Sequence, residues 1–248
     1  IDFQLIPALS GDDTKILFAA ARKDSIRNLL ESLSRHNLHP VKMSIEPNSL
    51  FECYKYFTTI QDESIIQLDI GHTKSLLTIA ESDSLLFSRN ISFGMYDVYQ
   101  DIADHLKLDL IEIKQIFEHN PIDLTSFENN IHRDVHESFS LSKSKFKKIY
   151  NIINDHFSYL LEQFLLSVKA FTADYGDRNF SRIFISGGGS RITGIGTILS
   201  NEMDLPVVAQ PFMKEINESV VQTQFPVAFG TLIDYLNTKK KTVNLLKN

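Results

Sequence analysis

Tryptophan is missing from this 248-residue chain, cysteine occurs once, and positive charge is in the minority. A single cysteine, Cys53, cannot form an internal disulfide, which suits a reducing compartment. Lys and Arg total 25 against 31 Asp and Glu, a formal net charge of −6. That balance speaks against a nucleic-acid partner, whose binding proteins carry a basic face. No apolar run approaches the roughly 20 residues a membrane-spanning helix needs. Repeats and low-complexity tracts are also missing. The opening "IDFQLIPALS" has neither an initiator Met nor a basic region ahead of an apolar one, so it reads as an interior start and a fragment of a longer protein is expected.

What is present supports a packed core: 43% of the residues are hydrophobic and 23% charged. The first stretch predicts a βαβ-like unit over residues 1–46. Its strand covers 15–20, its helix 23–36 with Ile26, Leu29, Leu30 and Leu33 on one buried face, and its second strand 41–45. A connecting helix after Pro47 falls within 47–64. Three strands follow, 65–69, 75–80 and 85–93, with a polar turn "ESDS" between the last two. Helices are predicted over 96–106 and from Asp109 to about 120, with Asp109 as a cap. Residues 119–143 are polar and read as an irregular insertion. A long amphipathic helix spans about 145–172, a buried strand 182–186, then a "GGGS" turn, a helix, a short strand and a closing helix. Three antiparallel strands ahead of crossover helices give an α/β, ribonuclease-H-like order, with the main domain over 65–236.

Two glycine-bearing turns are the candidate chemistry. In Asp69-Ile70-Gly71-His72-Thr73-Lys74-Ser75, a carboxylate at a strand end can hold the water shell of Mg²⁺. Gly71 admits phosphate oxygens close to the backbone, and Thr73, Lys74 and Ser75 offer donors. The same residues also make an ordinary β-turn. In Ser186-Gly187-Gly188-Gly189-Ser190, three glycines between a strand and a helix start suit an anion or nucleotide, or simply tight packing. No Gly-Lys-Ser/Thr follows, so this is not a Walker A loop. The pair His132 and His136 has helical spacing but no evident third ligand, and a solvated loop is expected there. A kinase-type loop, a nucleophile elbow and a catalytic triad are all unsupported, and no catalytic residue is assigned. The end, "YLNTKKKTVNLLKN", carries Lys239, Lys240, Lys241 and Lys247, which suits a solvated tail or the cytoplasmic flank of a membrane helix.

Taken together, the β-turn-β with "LDIGHTKS" and the β-GGG-α turn about 115 residues later resemble the second phosphate loop and the adenosine loop of the actin-like ATPase superfamily. The segment "LFAAARKDSIRNLLESLSRHNLHPVKMSIEPNSL" is similar to the small interaction subdomain and exit helix of its PilM- and FtsA-like members. "ISGGGSRITGIGTILSNEMDLPVVAQPF" is similar to their adenosine-loop segment, and "PVAFGTLIDYL" to their closing helix. Within the superfamily the resemblance is strongest to the cytoplasmic domain of type II secretion L proteins.

It implies an actin-like fold with a small βαβ interaction subdomain. Asp69, Gly71, Thr73, Lys74, Gly187, Gly188 and Gly189 would be nucleotide-binding residues, with Asp69 reaching Mg²⁺ through water. There are departures. The first phosphate loop expected ahead of residue 1 is not in the sequence, and His72 is bulky for its turn. The Glu-Ile-x-Arg-Ser pattern of PilM-like ATPases has become Gln163-Phe164-Leu165-Leu166-Ser167, and Glu162 is one residue out of register. These departures imply a degenerate site, no resident cofactor and a non-catalytic scaffold at the cytoplasmic face of the inner membrane. Its implied partners are the cytoplasmic secretion ATPase and platform proteins, with a homodimer possible in principle. The alternatives are a PilM-like protein binding Mg·ATP or hydrolysing it slowly and, ranked lower, an FtsA-like filament former. "VNLLKN" resembles the Asn-Leu-Leu segment between the cytoplasmic domain and membrane helix of L proteins. It also resembles the PilN peptide that PilM-like proteins bind from a separate chain. Residues 237–248 are therefore expected to be a basic juxtamembrane tail.

Overall fold

A computed structural model describes residues 1–6, 15–58, 63–119, 122–133, 137, 141–210, 225–237 and 242–246. The main sheet has five strands in the order β5-β4-β3-β6-β7. These are β3 (Ser64–Ile70), β4 (Ser75–Glu81), β5 (Ser84–Ile91), β6 (Phe180–Ser186) and β7 (Val207–Ala209). β3, β4 and β5 form an antiparallel meander. β6 then lies parallel to β3, with Asp69 opposite Ser186, and β7 lies parallel to β6. This is the predicted ribonuclease-H-like order.

Alternation along β3 divides the core. Ile66, Leu68 and Ile70 are buried against α3 (Met95–Leu106) and the 33-residue α6 (Lys143–Tyr175). Ile65 faces the other way, where it joins Phe51 and Tyr54 of α2 (Glu46–Phe57), with Ala80, Leu85 and Phe184. On that side Gln67 would be a buried amide in an apolar layer, which is costly unless bonded. Its Nε2 donates to the Leu50 carbonyl at 3.3 Å and to Gln210 Oε1 at 3.0 Å, and it accepts from the Thr78 hydroxyl at 3.1 Å. α6 starts at Ser142, whose hydroxyl accepts from Lys145 N–H, and stops at Gly176 with φ 78°.

Further α-helices among the described residues are α4 (Leu110–His119), α5 (Phe127–His132), α7 (Ile195–Met203) and α8 (Pro226–Leu236). α4 begins where expected: Asp109 Oδ1 accepts from Ile111 N–H at 2.7 Å. α5 falls in the stretch read as irregular, which is also tied by a bridge between Asp123 and Thr193 to the loop ahead of the helix Ile195–Met203. His132 is exposed there, while His136 lies outside the described residues.

Residues 1–46 differ from the expected βαβ unit. β1 (Asp2–Ile6) and β2 (Lys15–Ala19) form an antiparallel pair, followed by α1 (Lys23–Ser34), so the order is ββα. Residues 41–45 form no strand. Their backbone meets the chain end instead, with Leu245 N–H donating to the Met43 carbonyl at 2.9 Å. α1 buries no residue fully, and Leu29, expected on its inner face, is 49% exposed. A short two-stranded sheet offers too little surface to cover a twelve-residue helix.

α2 and α8 cross at unusually close range. A Cβ added at Gly230 would lie 1.7 Å from the Ser49 carbonyl oxygen and 3.1 Å from Cys53 N. The crossing also pairs the Ser49 and Thr231 hydroxyls at 2.8 Å. The atoms met are backbone, which cannot rotate aside, so Gly230→Ala is expected to cost about 3 kcal/mol, the upper end of overpacking. Urea unfolding of the variant would measure it; an unchanged midpoint would show that the helices can separate freely.

Candidate functional site

Pairing of β3 with β6 places Asp69 and Ser186 side by side at the C-terminal ends of parallel strands, where open α/β sheets bind ligands. The Ser186 hydroxyl donates to Asp69 Oδ1 at 2.6 Å. Beyond them a cleft of about 350 Å³ is lined by Asp69, Gly71 and His72, by Gly187 and Gly188, and by Met95, Tyr99, Lys114, Arg191 and Phe225.

The three glycines play different parts. Gly187 has φ +81°, and an added Cβ would sit 2.3 Å from the Ile70 carbonyl oxygen, so a side chain is excluded twice over. Gly189 is buried, with its missing Cβ overlapping the Ile70 side chain. Gly188 alone is open, with nothing within 4 Å of its Cβ position. It is the point where a ligand can approach the backbone.

The first turn is held from outside. Gly71 N–H donates to the Lys74 carbonyl at 3.1 Å. The first amides of α3 donate back to the turn: Met95 N–H to Gly71 O at 3.1 Å and Tyr96 N–H to His72 O at 2.7 Å. Gly94 permits this, since its Cβ would collide with His72 O and the Thr73 backbone. The His72 ring leans on Tyr96 and Tyr99, with centroids 5.5 and 6.5 Å away.

Asp69, Gly71, Gly187 and Gly188 thus share one cleft, with Gly189 packed beneath it. Thr73 and Lys74 are exposed and are not among the lining residues. Lys74 pairs with Glu46 at 2.5 Å. Ser75, read as a possible phosphate donor, is buried and donates to the Phe93 carbonyl at 3.0 Å. The helix stretch Gln163–Ser167 is engaged elsewhere: Arg89 donates to Gln163 Oε1 and the Ser167 hydroxyl, each at 3.0 Å. Leu166 is 46% exposed.

Sequence reasoning missed Lys114 and Arg191, two cations from separate elements that line the cleft. Arg191, one residue past "GGGS", was within sight as a cation beside a Gly-rich turn. Lys114, on a helix more than forty residues from Asp69, had no such signal. The arrangement of open backbone, two cations and one carboxylate suits an anionic ligand. Among the described residues no group of three or more His, Cys, Asp or Glu could hold a metal alone. Cys53 takes no part: burial pushes its thiol up to about 12, which keeps it protonated and inert.

Residues 1–140 match the family described as type IV pilus assembly protein PilM. The chain belongs to the PilM family. None of the curated proteins matches it. Among solved structures it is similar to a PilM–PilN type IV pilus biogenesis complex, at 20% identity and TM-score 0.69, over 92% of this chain and 64% of that one. It is also similar to the ethanolamine utilization protein EutJ from Carboxydothermus hydrogenoformans, at 15% identity and TM-score 0.53, over 86% of this chain and 62% of that one. A third similar structure is MreB5 of Spiroplasma citri bound to AMPPNP, at 14% identity and TM-score 0.58, over 89% and 67% of the two chains. These likenesses establish an actin-like fold. The PilM-family chain described here spans 64% of the length of the PilM–PilN structure's chain.

Burial raises the Asp69 carboxyl above its ordinary value; the Ser186 hydrogen bond opposes this, Glu46 pushes it further up and Lys74 pulls it down. The folded state therefore binds this proton more tightly than the unfolded chain. The charged group costs stability as pH rises from the unfolded value through the folded one. Asp69→Asn is expected to melt higher than wild type at about pH 7 and level with it near pH 3, where both are neutral. Melting curves across that range check the sign: a variant less stable at neutral pH would mean that the carboxylate is held by donors, not penalised by burial.

Proposed function

We propose that this PilM-family chain is a platform protein of a type IV pilus or related type II secretion assembly, whose small subdomain seats an Asn-Leu-Leu peptide supplied by its own C-terminal segment. One observation carries the proposal: Thr242–Leu246 lies docked against Asp2, Ala19, Ile26 and residues 42–45. Val243 and Leu245 are buried with Ala19, against Ile26, Met43 and Ile45. Asn244 is the keystone. Its Oδ1 accepts from Met43 N–H and Leu246 N–H, each at 3.1 Å, and its own N–H donates to Asp2 Oδ2 at 2.8 Å. Lys42 Nζ spends its donors on the Thr242 hydroxyl at 2.6 Å, the Asp234 carbonyl at 3.1 Å and Asp234 Oδ2 at 2.7 Å.

The solved PilM–PilN complex pairs two proteins. A covalently attached peptide is what the resemblance to type II secretion L proteins leads one to expect. Under this reading the chain works at the cytoplasmic face of the inner membrane, linking a secretion or pilus ATPase to membrane components. No helix of the described residues is long and apolar enough to cross a membrane.

The full-length Val243→Asp variant should expel its own segment, because a carboxylate cannot stay at that buried position unpaired. A synthetic Thr-Val-Asn-Leu-Leu-Lys-Asn peptide should then bind it with micromolar affinity, bind wild type far more weakly, and lose at least tenfold when its Asn is Ala. Equal binding to wild type and variant would defeat the proposal.

A second function is supported by the cleft: retention of a nucleotide. Asp69 would hold the water shell of Mg²⁺, Gly188 would approach the ligand through its backbone, and Lys114 and Arg191 would neutralise phosphate. The bound dication would supply charge neutralisation. Calorimetry should show Mg·ATP binding that weakens severalfold or more in Asp69→Ala and in Lys114→Ala. Heats indistinguishable from dilution would leave the peptide seat as the sole function.

A further inference from the structure

A second cavity, of about 410 Å³, shares no lining residue with the cleft; it is lined by Ser92, Phe93, Asp97, Asp155, His156 and Tyr159. One wall is the start of α3 and the other is the middle of α6. Its floor is aromatic. Phe93 is buried, edge-on to Phe157 at 5.2 Å, with the His156 ring 6.4 Å away. His156 is fixed by its contact with Asp101 Oδ2 at 2.6 Å.

The charged side chains on the two helices that wall this cavity are mainly acidic; the nearby Arg89 guanidinium is engaged by Gln163 and Ser167 of α6. α3 carries Asp97, Asp101 and Asp104 and neither Lys nor Arg. Along α6, between Lys148 and Lys169, the acidic residues are Asp155 and Glu162, again without Lys or Arg. Asp101 is occupied by His156 and Asp104 accepts from Gln100. Among the described residues, the side chains of Asp97 and Asp155 have no partner. Two carboxylates with no partner among the described residues therefore line one cavity with an aromatic floor.

The geometry points to a receptor for an arginine side chain presented by a partner protein. A guanidinium is planar, stacks on aromatic rings and offers five N–H donors in a fixed fork, so it can lie on Tyr159 or His156 and meet carboxylates from both walls. An ammonium is a strongly hydrated point charge and gains less from the rings. The surface beside the cavity favours a protein over a free amine. Tyr159 is 42% exposed and Leu166 is 46% exposed. They are two turns apart on the same face of α6, which gives a partner apolar contact beyond the single anchoring residue. Charge complementarity sets the anchor and the exposed stripe extends it.

The test is an NMR titration of the full chain with N-acetyl-arginine methylamide, run beside the lysine analogue and spermidine. Saturable shifts are expected at Phe93, Asp97, His156 and Tyr159, with the arginine probe bound several times more tightly than the lysine one. The double variant Asp97→Asn/Asp155→Asn, at two exposed positions that leave the fold intact, should lose at least tenfold. Equal affinity for the two amino-acid probes, unchanged binding by the double variant, or tighter binding of spermidine would each overturn the assignment. None of these outcomes depends on the peptide seat or on nucleotide.

Discussion

Parallel hydrogen bonding between β3 and β6 is the interaction on which the rest depends. It joins strands more than a hundred residues apart, with Asp69 set opposite Ser186. Closing so long a loop is entropically costly, though the cost grows only slowly with length. The return is a strand buried on both faces, with α6 and α3 on one side and α2 on the other. It also brings two glycine turns, each unremarkable alone, to one strand end. Gly187 shows how tight the join is: its backbone rests on Ile70, leaving no room for any other residue.

A second join closes the molecule from below. α2 and α8 meet at Gly230, and α8 reaches from Phe225 at the cleft wall to Asp234 beneath Lys42. Lys42 then links three parts of the chain: the 42–44 loop, the closing helix and Thr242. Such a buried pair contributes little net stability, because both charges lose their water, but removing one partner is costly. Its value is positional. It ties the loop after α1 to the closing helix at one point, and the end segment is seated against that point.

Much of this was legible in the sequence, and the limits have physical causes. The strands 65–69, 75–80 and 85–93, the long helix and the closing helix all emerged within a few residues of their final bounds, because apolar periodicity reports burial directly. The small subdomain was misjudged. "VKMSI" alternates like a strand, but among the described residues its backbone meets the segment around Leu245, which periodicity cannot reveal. α1 has the right helical spacing and little to bury against. At the site, the glycines were visible because their role is local. Thr73 and Lys74 looked as apt as Asp69, yet the turn's direction is set by α3 amides and by Glu46, which sequence spacing does not encode. Lys114 and Arg191 enter only through tertiary placement.

The docked end segment has a consequence for how such a protein behaves in a crowded cell. A peptide from a separate chain fills its seat in proportion to its abundance. One tethered a few residues beyond α8 does not, since its effective local concentration, on the order of millimolar for a short link, is fixed by the covalent chain. Occupancy then answers to geometry alone. Under the proposed peptide-seat reading, a rival peptide would have to outcompete a neighbour that never diffuses away.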